Sequence, residues 1–153
     1  ELIVSGKSLL LKGGNLPEKY KLEQMHFHWG CNDTRGSEHS VDGQFFPLEI
    51  HIVHRQNCQP DVEEAAKSPF GLAVVSIFVT AGAENKKFNQ LVDFLDQISN
   101  PNDQVVVPAF PLSDLIPERY DFYRYYGSLT TPPCYESVIW STGTDPIEMS
   151  EKQ

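Results

Sequence analysis

The sequence predicts a mainly β domain of mixed α/β character that spans residues 1–153. Two segments, Tyr20–Trp29 and residues 47–53, alternate polar and apolar side chains, as half-buried strands do. Residues 72–80 form a near-continuous apolar, β-branched run, which is typical of a strand buried on both faces. Only residues 88–98 repeat apolar side chains at the spacing of an amphipathic helix. Because there are no repeats or linkers, we expect one domain.

Shorter elements are predicted around these four segments. Residues 8–12 should form a short strand, and residues 61–67 a short helix that ends at Ser68-Pro69. Four elements are expected nearer the C-terminus: an extended edge at 105–107, a turn of helix within 108–117, an aromatic strand at 121–126 and a last strand at 137–142.

The charge of the chain argues against two classes of partner. With 12 Lys and Arg against 21 Asp and Glu, the formal net charge is −9, which disfavours nucleic acid and anionic membrane surfaces. No apolar run approaches the length of a membrane span. The chain has neither a signal peptide nor an initiating Met and opens within a strand-like pattern, so we expect a piece of a longer protein.

The candidate chemistry lies on the first two long strands. Gln24, His26 and His28 share one face of the first strand, and Glu49 and His51 share one face of the second. Antiparallel pairing of these strands would bring His51 opposite the other two histidines. Three imidazoles with a fourth position left open are the arrangement of a catalytic zinc site.

Two polar residues strengthen the case for a metal site. A lone histidine on a strand is more often a hydrogen-bonded structural residue. Here Gln24 and Glu49 each precede a candidate ligand by two residues on its own face. A metal-bound histidine usually donates its other ring N–H to such an acceptor, so Gln24 should orient His26 and Glu49 should orient His51.

A third feature is the loop Gly-Ser-Leu-Thr-Thr-Pro-Pro-Cys at residues 127–134. Each proline fixes its own φ and restricts the residue before it, so the loop is stiff and non-helical. Such a loop can hold a hydroxyl group in a fixed place beside a site.

Five motifs together resemble the alpha-class carbonic anhydrases. They are QMHFHWG at 24–30, GSEH at 36–39, EIHIVH at 49–54, GLAV at 71–74 and GSLTTPP at 127–133. They stand in the order and spacing of that family, whose longer domain this chain resembles in its central part. The resemblance implies the family's fold, a large twisted, mostly antiparallel sheet with short peripheral helices, here incomplete at both ends. It also implies a zinc lyase that hydrates carbon dioxide reversibly to bicarbonate and a proton through zinc-bound hydroxide.

The resemblance assigns a role to each matching position. It implies that His26, His28 and His51 are the zinc ligands. Thr130 resembles the threonine that accepts a hydrogen bond from the hydroxide and donates its own proton to a buried glutamate, here Glu38. Gln24 and Glu49 match the orienting residues, and His39 and His54 match structural positions. The residues implied in carbon dioxide binding are Val53, Val74, Leu129, Thr131, Val138 and Trp140.

The resemblance also predicts where the protein works. Cys134 matches the cysteine that secreted and membrane-anchored members place in a disulfide, and Asn32-Asp33-Thr34 is an N-glycosylation acceptor. An extracellular or cell-surface glycoprotein is therefore expected. Cys31 and Cys58 follow opposite ends of the predicted strand pair, so no bridge between them is expected.

Three alternatives stay open at this stage. An acatalytic carbonic-anhydrase-like binding module typically lacks one or more ligand histidines, whereas all three are present here. A cupin-type metal oxygenase also carries His-x-His, but it needs a ligating glutamate a few residues on, and Glu38 follows His28 by ten. A mineral-associated or matrix protein with this domain as one part is compatible with the acidic charge.

Overall fold

The computed structural model describes residues 1–4 and 9–153, and within these it shows one mixed sheet of eight strands. The strands are β1 (Leu2–Ile3), β2 (Leu10–Leu11), β3 (Tyr20–Trp29), β4 (Leu48–Gln56), β5 (Leu72–Ala81), β6 (Phe122–Gly127), β7 (Val138–Gly143) and β8 (Ile147–Met149). Six of them run in the order β1-β3-β4-β5-β7-β6, while β2 pairs with β3 and β8 pairs with β5.

Antiparallel pairs predominate in this sheet. The pairs β1·β3, β2·β3, β3·β4, β4·β5 and β6·β7 are antiparallel, and β5 pairs in parallel with β7 and β8. The predicted mainly β fold with a mostly antiparallel sheet is therefore confirmed. Central strand β5 has eight buried residues out of ten, as the apolar run at 72–80 predicts.

The sheet carries an apolar cluster on each face, which follows from the alternation of side chains along its strands. On one face Ile50, Ile52 and Ile77 belong to the larger cluster. On the other face Val53 and Val74, with neighbours from β7, form a smaller one. The smaller cluster lies on the face that carries the candidate ligands, so it lines the site.

Helices are few and short. Helix α1 spans Val62–Lys67, and the Asp61 side chain caps it by accepting a hydrogen bond of 2.9 Å from the backbone N–H of Glu64. This confirms the helix predicted at 61–67. Helix α2 spans Asn89–Val92. Among the described residues, no helix is both long enough and apolar enough to cross a membrane.

The prediction of one continuous amphipathic helix over residues 88–98 is wrong. The chain instead forms a 3₁₀ turn at Lys86–Phe88, helix α2, and a second 3₁₀ turn at Leu95–Ile98. Residues of low helix propensity such as Asp93 occur throughout the segment, so regular helix has little intrinsic support. The second turn also packs weakly, since Leu95 is 50% exposed.

The shorter predicted elements have mixed outcomes. Residues 105–107 form no strand, because Pro108 cannot donate to a ladder and Val106 is 91% exposed with nothing to pack against. The helical turn within 108–117 is found at Leu112–Leu115, and the strands at 121–126 and 137–142 correspond to β6 and β7. The strand predicted at 8–12 is reduced to β2, and Ser8 lies outside the described residues. Strands β1 and β8 were not predicted.

The segment between β3 and β4 folds closely against the start of β4. A Cβ atom on Gly36 would lie 1.9 Å from the carbonyl oxygen of Pro47, so no larger residue fits there. The N–H groups of Gly36 and Ser37 both donate to the Phe46 carbonyl, at 2.8 and 2.9 Å. This packing fixes the backbone of the next two residues, Glu38 and His39, beside the sheet.

The lowered pKa of buried His54 makes the stability of the fold depend on pH. Burial lowers its pKa to about 4 from 6.5, and its Nδ1 lies 3.2 Å from the Ala73 carbonyl oxygen. The unfolded chain binds a proton at His54 more tightly than the folded chain does. The contribution of neutral His54 to the free energy of unfolding is therefore fully present above pH 6.5 and is lost as the pH falls towards 4. We expect roughly 3 kcal/mol of acid destabilisation from this residue.

Urea denaturation of wild type and His54→Gln between pH 4 and 6.5, both with a chelator present, measures this effect. The free energy of unfolding of the variant should fall less steeply with acid. Parallel profiles for the two proteins would contradict the assignment.

Candidate metal centre

Three histidines meet on one face of the β3·β4 pair. His26 is directly opposite His51 in the antiparallel register, as the sequence predicts, and His28 follows on the same face. The three ring centroids are 4.5 to 5.1 Å apart, and one ligand atom from each residue lies within 4.8 Å of the other two. This spacing lets the three nitrogens share one metal ion.

Two of these rings have an orienting partner in the structure. His26 Nδ1 lies 2.8 Å from Gln24 Oε1, and His51 Nε2 lies 2.7 Å from Glu49 Oε1. If each of these nitrogens carries the proton and donates it, His26 Nε2 and His51 Nδ1 have free lone pairs. His51 Nδ1 is 3.1 Å from His28 Nε2, so the free nitrogens converge. The partners predicted from sequence, Gln24 and Glu49, thus contact the expected rings.

Glu49 is the most heavily hydrogen-bonded side chain of the site and is fully buried. Its Oε2 accepts from the backbone N–H groups of Glu38 and His39, each at 2.9 Å. Its Oε1 lies within hydrogen-bond distance of His51, the His39 ring at 2.5 Å, and the Ser76 hydroxyl, which donates to it. Burial by itself raises the pKa of Glu49, but the hydrogen bonds from His39 and His51 outweigh it and hold the pKa well below its usual range.

Two partners of Glu49, His39 and Ser76, were not identified as its partners from the sequence. The His39 ring also contacts the Tyr125 hydroxyl, and the ring of Tyr125 stacks on Trp140. Ser76 is the single hydroxyl within the apolar stretch at 72–79, which is the one sequence signal that marks it.

Two of the three candidate ligands, His26 and His28, are neutral at physiological pH. Burial, reinforced by the neighbouring imidazoles, lowers the pKa of His26 to about 4. Burial and the nearby His51 likewise lower the pKa of His28. Neutral imidazole is the form that binds a metal ion, so these two ligands need no deprotonation before metal binding.

The two predicted catalytic residues occupy different surroundings. Glu38 Oε2 lies 3.4 Å from His28 Nε2 and 3.8 Å from His51 Nδ1, so its carboxylate faces the free nitrogens. Thr130 is exposed on its loop. Among the hydrogen bonds of the described residues, none joins Thr130 to Glu38, so the structure does not bring this predicted pair into contact.

The predicted substrate-binding residues lie mainly together. One apolar cluster contains Val53, Val74, Val138 and Trp140, with Leu129 packed against it. The Trp140 ring contacts the site directly, with its centroid 4.9 Å from that of His51. Thr131 is exposed, next to Thr130 in the chain, and is not a member of this cluster. The arrangement puts an apolar wall against the histidines.

Three histidines that could hold one metal ion lie on a mostly antiparallel sheet, and Gln24 and Glu49 are within hydrogen-bond distance of two of them, which defines a protein with a candidate metal centre. The sequence model of the eukaryotic-type carbonic anhydrase family matches residues 2–153, and the chain belongs to this family. Carbonic anhydrases are zinc-dependent enzymes.

Curated relatives agree with this placement. The chain is 42% identical over 144 residues to "Carbonic anhydrase 5A, mitochondrial" of Rattus norvegicus, covering 94% of this chain and 47% of the relative. It is 40% identical over 144 residues to "Carbonic anhydrase 3" of Homo sapiens, covering 94% of this chain and 55% of the relative. The chain therefore spans about half the length of the curated relatives it matches.

The extracellular or cell-surface localisation predicted from sequence is wrong. The similar relatives include carbonic anhydrases whose names place them in mitochondria, and none of the reported names indicates a secreted or cell-surface protein. Within the part of the chain that the structure describes, Cys31, Cys58 and Cys134 are all free and exposed, so no disulfide of Cys134 supports that prediction. The predicted glycan at Asn32 is likewise unsupported.

Both sequence signals behind the localisation prediction have a local explanation that needs no compartment. Asn32 Oδ1 accepts a hydrogen bond of 2.9 Å from the backbone N–H of Thr34. The Asn-Asp-Thr tripeptide is thus explained as a local turn. A single matching cysteine such as Cys134 specifies no compartment without a partner to bond.

Proposed function

We propose that this protein hydrates carbon dioxide reversibly to bicarbonate and a proton, with Zn²⁺ held by His26, His28 and His51. The observation that supports this most is the convergence of three ligand atoms, one from each histidine, to within 4.8 Å of one another. Imidazole nitrogen is a ligand that Zn²⁺ prefers, and three such ligands leave a position open for chemistry. When bound, the metal supplies a Lewis acid that makes water more acidic.

Gln24 and Glu49 orient two of the ligand rings even without a bound metal ion. Gln24 and Glu49 accept from the far nitrogens of His26 and His51, so each ring keeps its lone pair towards the centre. Glu49 is itself fixed by donors on both carboxylate oxygens. The ligand set therefore loses little conformational freedom on binding, which favours tight metal binding.

The apolar cluster suits a small nonpolar substrate. Val53, Val74 and Trp140 are at most 6% exposed and lie on the ligand face. Carbon dioxide has no hydrogen to donate, so a wall without polar groups holds it without leaving polar groups of the protein unpaired. We therefore propose that this cluster is the carbon dioxide pocket, completed by Leu129, Val138 and Thr131.

We propose that Thr130 and Glu38 form a hydrogen bond that orients the reacting oxygen. A hydroxyl has one proton, so if Thr130 donates it to Glu38, only lone pairs face the reacting oxygen. That oxygen must then donate to Thr130, which orients its remaining lone pair. Thr130 is exposed and separate from Glu38 here, so this role requires the loop to close onto the carboxylate.

Thr130→Ala tests this role. We expect Zn²⁺ affinity to stay at the wild-type level, because no ligand is removed, and the hydration rate to fall by about 10²-fold or more, as when a positioned hydrogen-bonding group is lost. Zinc content by elemental analysis and initial rates by stopped flow measure the two effects. Ser128→Ala on the same loop is the matched control and should leave both unchanged. Loss of zinc from Thr130→Ala would place the residue in the metal site instead.

One observation favours a second candidate, an acatalytic binding or matrix module. The Thr130–Glu38 pair, which the catalytic role needs, is not in contact. Hydration by the zinc-loaded protein, lost with a chelator and restored by Zn²⁺, distinguishes the two functions. A protein that binds Zn²⁺ stoichiometrically but gives no hydration above buffer would favour the binding module.

A further inference from the structure

We propose that Ser76 is a positioning residue of the metal centre, which fixes the Glu49 carboxylate and through it the ring of His51. The inference rests on the proposed function, because it assigns Ser76 to the same centre. It adds a residue from the central strand β5 to the candidate ligands and their orienting residues, which otherwise lie on β3 and β4.

The sheet register places Ser76 at the site. Ser76 on β5 is directly opposite His51 on β4, and Glu49 lies two residues along β4 on the same face. Cross-strand neighbours and their diagonals are within reach of each other's side chains. The Ser76 hydroxyl donates to Glu49 Oε1, the same oxygen that lies 2.7 Å from His51 Nε2.

The burial of Ser76 explains why its hydroxyl donates a hydrogen bond to Glu49. Ser76 is fully buried, while its strand neighbours Val75 and Ile77 lie in the apolar core on the opposite face of the sheet. A buried hydroxyl is unfavourable unless it is hydrogen-bonded. Its one proton goes to Glu49, so the hydroxyl acts as a donor at a fixed point of the central strand.

The backbone of Ser76 is held in place from the other side. The Tyr120 hydroxyl lies 2.9 Å from the Ser76 carbonyl oxygen and 2.6 Å from that of Ser141 on the next strand. Ser76 therefore has little freedom to follow a displaced carboxylate. Glu49 is thereby tied to β5, in addition to its contacts with β4 and with the loop residues Glu38 and His39.

Removing the hydroxyl should affect the metal more than the fold. Ser76→Ala deletes one atom, and Glu49 keeps four other donors, so the carboxylate stays satisfied and the chain folds. What is lost is the constraint on the direction of Oε1, which sets the direction of the His51 ring. Orienting partners of metal-bound histidines typically contribute about 10- to 100-fold in metal affinity.

The experiment compares Ser76→Ala with Ser141→Ala in the purified protein. Ser141 is also a buried serine, but its Oγ accepts from Arg124 Nη2 at 2.9 Å, and it faces away from the site. Three quantities are measured: the Zn²⁺ dissociation constant by chelator competition, the visible spectrum of the Co²⁺-substituted protein, and the free energy of unfolding without metal. For Ser76→Ala we expect an about tenfold larger dissociation constant and an altered Co²⁺ spectrum. Ser141→Ala should match wild type in both metal readouts.

Unchanged Zn²⁺ affinity and Co²⁺ spectrum in Ser76→Ala would overturn the proposal, as would equal weakening of metal binding in both variants. A wild-type protein that binds Zn²⁺ without hydrating carbon dioxide would contradict the proposed function alone, since Ser76 would still be judged by the metal readouts. A wild-type protein that binds no Zn²⁺ would overturn both.

Discussion

Replacing His51 with alanine is expected to lower Zn²⁺ affinity more than a hundredfold and to abolish measurable hydration of carbon dioxide. The reason is that His51 is at the centre of the candidate site: it faces His26 across the strand pair, its Nδ1 lies 3.1 Å from His28 Nε2, and it is only 2% exposed. Loss of a ligand should exceed the about 10- to 100-fold cost of losing an orienting partner.

His54→Ala is the matched control for this variant. His54 is a buried histidine on the same strand, three residues on, and it lies near the Ala73 carbonyl rather than the other imidazoles. Both variants remove a buried ring from β4, so both should lose some stability. Only His51→Ala should lose zinc, as measured by chelator competition. Stoichiometric, tight zinc in His51→Ala would refute the three-histidine site.

The second large effect is expected for Glu49→Ala, which should destabilise the protein by about 3 kcal/mol or more, because each buried donor left without an acceptor costs about 1–3 kcal/mol. The substitution leaves the Ser76 hydroxyl, the His39 ring and two backbone N–H groups without their acceptor. It also frees the ring of His51, so Zn²⁺ affinity should fall together with stability.

Urea denaturation and chelator competition measure these two consequences of Glu49→Ala. Glu63→Ala is the control, because the Glu63 side chain is 80% exposed and its ion pair with Lys67 lies at the surface. Its effect on stability should stay within about 0.5 kcal/mol. If Glu49→Ala proves too unstable to study, Glu49→Gln retains one acceptor oxygen and should show the same direction of change in both readouts. Wild-type stability and zinc affinity in these variants would contradict the role given to Glu49.

The central part of the fold was predictable because local pattern and tertiary structure agree there. Alternation along Tyr20–Trp29 fixed which side chains share a face, and the register of β3 with β4 then placed His26 opposite His51. The pairs Gln24 with His26 and Glu49 with His51 followed from the same period of two.

Other features depend on partners that a linear pattern does not reveal. The apolar spacing at 88–98 looks helical, but the segment combines residues of low helix propensity with weak packing at Leu95, and it forms short turns instead. Strands β1 and β8 are two and three residues long and are defined by the strands they pair with. The role of Ser76 depends on the β4·β5 register, and the localisation error arose because Cys134 was interpreted without a partner.

The hydration rate of carbon dioxide as Zn²⁺ is added to metal-free protein tests the central claim most directly. We expect the stopped-flow rate to rise in proportion to zinc, to level off at one equivalent per chain, and to stay at the buffer level throughout for His51→Ala. A wild-type protein that takes up one equivalent of zinc and remains at the buffer rate would contradict the proposed function.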